Sequence, residues 1–176
     1  LRLAANGDIE LGNLSATNVS IISTAGSVLN AGATTRNVTA TNLRIHSSNA
    51  IGQATNHLTI AVDKLSAYSN GITASGIYLT ESNGLTVDSV AVTVTEFTAN
   101  ATTGTVEDAA QSDIVRATAG DVVLVVTTGN LTLNDGDSNG DVVSTAGVGS
   151  ILIDALAGSV TANADINSAT GNITLK

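Results

Sequence analysis

From Gly120 to Lys176 the chain runs through short stretches of polar–aliphatic alternation, each closed by Gly, Asn or Asp before the next begins. Four tetrads, Asp121–Leu124, Asn130–Leu133, Ser150–Ile153 and Asn172–Leu175, share the form x-φ-x-φ, where φ is a branched aliphatic residue. A period of two predicts strands with one face buried. The last three tetrads begin at Asn130, Ser150 and Asn172, at nearly even intervals. A recurrence of roughly 20 residues predicts a solenoid, in which each repeat is one turn of a coil.

The first half carries a longer version of the pattern. Residues 13–21 (NLSATNVSI), 37–45 (NVTATNLRI) and 71–79 (GITASGIYL) fit the template N/G-φ-S/T-A-x-N/G-φ-x-φ, and 159–167 (SVTANADIN) is a looser copy. Each copy reads as two short strands on adjacent faces of a coil, joined at a corner by Asn or Gly, which tolerate the left-handed conformation. Within Asn18–Ile21 the aliphatic Val19 and Ile21 are expected inside, with Asn18 and Ser20 in solvent. Coils of ~20 residues would give roughly eight or nine storeys and a rod of about 40 Å. The strand pattern continues through 80–106, where Val90, Val92 and Val94 alternate strictly. Residues 107–118 (EDAAQSDIVRAT) break it. There the expectations are one or two helical turns with Val106, Ala110 and Ile114 on one face, a long surface loop, or a strand, with the strand pattern resuming by Ile114 or Asp121. The whole, 1–176, is expected to be all-β and to form a single β-solenoid segment.

Composition narrows this further. Aromatic residues make up 2% of the chain and Pro is absent, while 17 residues are Gly. A sandwich of the immunoglobulin type, the main competitor, leans on aromatics and Pro-marked turns. A core of Val, Ile, Leu and Ala suits a narrow interior. With no Cys there is no disulfide framework and no thiolate metal site. The net charge is −9 with 6 Lys and Arg, which provides no basic footprint for nucleic acid. No apolar run approaches the ~20 residues of a membrane span. The chain opens LRLAANGDIEL without Met and closes NITLK, both within the strand pattern. It therefore reads as a piece excised from a longer array.

The succession of GDVVL, GNLTL, GSV and GNITL segments resembles the β-strand-repeat regions of giant bacterial surface and secreted proteins, of which the filamentous-haemagglutinin-like adhesins are the best-known type. That resemblance covers nearly the whole chain and departs at 107–118. It implies a right-handed parallel β-helix, export to the cell surface or medium, and a role as a fibre or stalk in attachment. The partners implied are neighbouring repeats or further copies packed end to end, together with a glycan or protein receptor on another cell or surface.

Chemistry is sparse. Residues 134–141 (NDGDSNGD) place Asp135, Asp137, Asn139 and Gly140 in the D-x-[DN]-x-[DN]-G opening of a calcium loop, and Asp141 adds another oxygen. The twelfth position is Ala146, where a bidentate Glu would complete the shell. The candidate calcium ligands are thus Asp135, Asp137, Asn139 and Asp141, weighed against an ordinary solvated corner. No other cofactor is called for. His46 and His57 have no metal-ligand spacing and are expected to face outward. A carbohydrate-binding or polysaccharide-degrading β-helix is the alternative function. Such enzymes need clustered carboxylates with a nearby basic residue, and the six Lys and Arg here are scattered. No catalytic residue is assigned.

Overall fold

The computed structural model describes residues 1–32, 35–71 and 75–176. Among them are 19 strands and no helix. Fifteen strands join in one sheet, and every pairing in that sheet is parallel. A parallel neighbour cannot be reached by a tight turn, so the chain must travel away and return. In the first ladder Leu3, Ile21, Ile45, Ala67, Ile114, Val143 and Ile166 lie in register. Most steps between them are of similar length, and the step from Ala67 to Ile114 is about twice as long as the others. This is the pairing of a chain that rises one rung per circuit, consistent with a β-solenoid.

Two further ladders line the interior. Ile9, Val28, Ile51, Ile77, Val122, Ile151 and Ile173 form the second. The third stacks Val19, Leu43, Leu65, Val87, Leu133 and Ala162. Val19, Ile21, Leu43, Ile45, Leu65 and Ile77 are wholly buried. Each such side chain contributes roughly 1.5–3 kcal/mol relative to exposure. Because an identical or similar residue sits above and below it, the shaft is filled by repetition rather than by large rings.

One inner corner is polar. Ser23, Ser47, Ser69, Arg116, Thr145 and Ser168 stack in register, and the first five are buried. Their donors serve corner carbonyls that no strand reaches. Ser23 Oγ donates to Gly7 O at 2.8 Å, Ser47 Oγ to Gly26 O at 2.9 Å, Thr145 Oγ1 to Gly120 O at 2.9 Å and Ser168 Oγ to Gly149 O at 2.7 Å. Buried backbone groups need such partners, and here side chains at a fixed position in each circuit supply them.

The structure corrects several details of this picture. The tetrad Asn130–Leu133 belongs to the third ladder, whereas Asp121–Leu124, Ser150–Ile153 and Asn172–Leu175 belong to the second. True in-register steps run from Val122 to Ile151 to Ile173, and the interval from Asn130 to Ser150 mixed two faces. The template copies at 13–21 and 37–45 do stack, with Val19 on Leu43 and Ile21 on Ile45. The copy at 71–79 instead puts Ile77 into the second ladder, and its residues Ile72–Ala74 lie outside the described residues. Among the described residues the first ladder has seven rungs, a stack about 30 Å tall at a spacing near 4.8 Å.

Of the helix, loop and strand weighed for 107–118, the structure has strand, and the helix is absent. Val90–Phe97 and Thr103–Gln111 form an antiparallel hairpin inserted into the long circuit between Ala67 and Ile114, and Ile114–Arg116 is a rung of the first ladder. Val106 pairs opposite Val94, Ile114 is buried in the ladder, and Ala110 is exposed, so the proposed apolar helix face does not exist. The hairpin lies over the outer surface of the first ladder. Arg2 Nε meets Asp108 at 2.9 Å, Arg44 Nε donates to Ala109 O at 3.1 Å, and Gln111 Nε2 donates to Ile45 O at 2.8 Å. Ser20, expected in solvent, is buried as a result, while Asn18 is exposed as predicted.

Candidate functional site, an acidic corner

The loop carrying the acidic motif leaves the rung Leu131–Leu133 and enters the rung Asp141–Thr145. Asp135 organises it. Its Oδ1 accepts the N–H groups of Asp137 at 3.1 Å and Ser138 at 2.6 Å, and its Oδ2 accepts that of Gly140 at 2.8 Å. These donors, Gly140 foremost, hold the Asp135 carboxyl below its ordinary range. Asp137 Oδ1 accepts from Asn139 N at 3.1 Å, and Asn139 Oδ1 accepts from Asp141 N at 2.8 Å. The side-chain oxygen of Asn139 thus helps to close the turn.

The structure brings Asp135 and Asp137 together with a residue that the sequence motif does not contain. Asp113, Asp135 and Asp137 each place a carboxylate oxygen within 4.8 Å of the other two. Asp141 lies outside this group, because it opens a strand and pairs along the ladder with Asp165. Asp113 sits at the turn where the hairpin hands the chain back to the first ladder, with a left-handed φ of 68°. Its carbonyl accepts Ala67 N at 2.8 Å, which fixes it to the rung below.

Gly136 allows the two segments to touch. A Cβ there would stand 2.5 Å from Ser89 N and 3.0 Å from Ser112 Oγ. With hydrogen in that place, Gly136 N donates to Asp113 Oδ1 at 3.1 Å. Asp113 is 1% exposed, and its Oδ2 has no hydrogen-bond partner among the described residues. Burial, reinforced by the neighbouring carboxylates of Asp137, Asp135 and Asp88, pushes its pKa up to about 6 against the pull of the Gly136 N–H. Of these neighbours, Asp88 has its own counter-charge, the Lys64 ammonium at 3.6 Å.

Pattern reading missed Asp113 because it lies well before Asp135 in the chain, on the previous circuit. The available signal was an acidic residue in a break (QSD) immediately before an aliphatic rung. What the triad offers is oxygen ligation and negative charge.

Glu81 and the two histidines have structural partners. Glu81 is buried within the inner column between Ile60 and Val126. Its Oε2 accepts Val62 N at 3.1 Å, and its Oε1 accepts Ser82 N at 2.7 Å and Asn83 N at 2.8 Å. Burial outweighs these donors and pushes its pKa up to about 7. His46 stacks on its ladder neighbour Tyr68 at 5.1 Å, and His57 Nδ1 lies 2.9 Å from Thr80 Oγ1. Both rings lie half-buried among outer-face residues, apart from the carboxylate triad.

Compared with protein-family models, with curated proteins and with solved structures, the chain gives no match. Among the described residues no helix is long and apolar enough to cross a membrane. The class that the fold defines is an all-β chain built on a large parallel sheet.

Proposed function

We propose that this chain is a right-handed parallel β-helix segment of a large secreted or cell-surface bacterial protein, where it serves as a stiff fibre or stalk for attachment. The observation that carries the mechanical part is the continuous in-register ladder from Leu3 to Ile166, with the same residue classes recurring at each rung. Such a stack resists bending because neighbouring circuits share a line of backbone hydrogen bonds. The outermost strands of its longest path, Arg2–Ala5 and Ile173–Leu175, each pair along one edge only. Those edges suit further repeats of the same kind. Attachment and export rest on the resemblance of the GNLTL and GNITL segments to adhesin repeats.

Antibodies raised against the folded chain test the assignment on intact source cells. Labelling of the unpermeabilised surface or recovery in the medium, with loss of attachment after in-frame deletion, is the expected outcome. Labelling confined to permeabilised cells would refute it.

A further inference from the structure

We propose that Asp113, Asp135 and Asp137 form a site for one divalent cation of the calcium class, which ties the return of the inserted hairpin to the following circuit. Three carboxylate oxygens within 4.8 Å of one another, on two separate segments, repel each other unless positive charge lies between them. The arrangement is not a chance meeting of surface side chains. Asp113 is 1% exposed, anchored through its own carbonyl to Ala67 N and through Oδ1 to Gly136 N. Its second oxygen, Oδ2, is buried without a hydrogen-bond partner among the described residues. A buried carboxylate oxygen left this way is costly, and a bound cation removes the cost.

The remaining valences point the same way. Asp135 Oδ2 accepts one N–H, from Gly140, and keeps a lone pair; Asp137 accepts its N–H, from Asn139, through Oδ1. Each of the three residues therefore retains an oxygen for an ion. The donors are all hard oxygens, with neither thiolate nor imidazole, which favours calcium over zinc or copper. Asp137 is exposed, so the outer hemisphere is open to water, as a calcium shell of roughly 6–8 oxygens requires. Partial exposure and few protein ligands place the affinity on the order of 10⁻⁴–10⁻³ M, the range of extracellular calcium modules. The ion would bridge the hairpin's exit at Gln111–Asp113 to the loop after Leu133.

The test is calorimetric titration of the chelator-stripped 176-residue chain with calcium chloride, repeated with magnesium chloride. One calcium should bind per chain, with magnesium at least about tenfold weaker because its stricter octahedron fits this open corner poorly. Asp113→Asn should weaken calcium binding at least about tenfold, and so should Asp137→Asn, whose exposed position spares the fold. Asp141→Asn should leave it unchanged. Circular dichroism establishes that each variant is folded, and Asp137→Asn decides the matter if Asp113→Asn is not. Absence of binding by the parent chain, or loss on Asp141→Asn but not on Asp137→Asn, would overturn the proposal, as would equal affinity for magnesium.

Discussion

Arg116 and Ser69 occupy the same position on successive rungs of the first ladder, and Arg116 Nη1 donates to Ser69 Oγ at 2.8 Å. Where five other rungs use a hydroxyl, or the short Ala5 at the edge, this one uses a wholly buried guanidinium. Its Nη2 reaches Gly71 O at 2.8 Å and Ala119 O at 2.8 Å, and its Nε reaches Ala119 O at 3.0 Å. The circuit before it carries the hairpin. One long fork satisfies carbonyls that a Ser could not span.

Arg116→Leu should therefore destabilise the fold by at least about 3 kcal/mol, since it removes the hydrogen bonds to Ser69 Oγ, Gly71 O and Ala119 O at once. Ser47→Ala, which removes a single hydroxyl from the same column, should cost about 1 kcal/mol. Urea unfolding of both variants checks the ratio. Equal costs would mean that the guanidinium is not the organising group of this corner.

Gly149 presents a second test of close stacking. A Cβ there would lie 2.1 Å from Gly120 O on the circuit before it, and a Cβ at Gly171 would lie 1.8 Å from Gly149 O. The Gly that precedes each second-ladder tetrad, at 120, 149 and 171, is thus part of a contact column down one corner. Gly149→Ala should lower stability by roughly 2–4 kcal/mol through displacement of this column. Gly12→Ala, where nothing lies within 4 Å, is the control and should change stability by under about 1 kcal/mol.

Glu81 predicts the pH dependence. Its folded pKa of about 7 lies above the ordinary 4.5, so the folded chain binds its proton more tightly than the unfolded chain does. Stability from this group is complete below pH 4.5, declines as pH rises from 4.5 to 7, and is flat above. The loss amounts to about 3 kcal/mol. Asp113, raised to about 6, adds to the lower part of that window, while His46 and His57, which burial holds below their ordinary 6.5, oppose the fall near pH 6.5, so Glu81 is the group that makes stability decline between pH 6 and 7. Urea midpoints measured across this range should fall with pH in the parent chain. In Glu81→Gln the decline between pH 6 and 7 should disappear, leaving a flat or slightly rising profile from the two histidines, and its persistence would assign the effect elsewhere.

Much of the fold was readable from residue order because a stack of parallel, in-register strands repeats its local rules. Alternation in Asp121–Leu124 or Asn172–Leu175 specifies which side chains turn inward, and Gly before each tetrad marks where coils touch. Alternation does not say which face a strand belongs to, so Asn130–Leu133 looks the same in sequence as the strands of another ladder. The inserted hairpin was half legible. Val90, Val92 and Val94 showed one strand, but its partner, rich in Ala and acidic residues, mimicked a helix start until Val106 met Val94. The acidic corner was legible in the same partial way. The Asp135–Asp137 spacing is local and visible, whereas Asp113 joins it only because one circuit brings residue 113 beside residue 136.

The parallel ladder itself can be measured directly in solution. Leu79, Leu124 and Ile153 are in-register neighbours, although each lies on a different circuit of the chain. With methyl-labelled protein, nuclear Overhauser contacts should connect Leu124 to both Leu79 and Ile153, and the backbone around Val122–Val126 should show the amide–Hα contacts of parallel pairing on both edges. Short Hα–Hα contacts between these strands, which belong to antiparallel neighbours, would contradict the account.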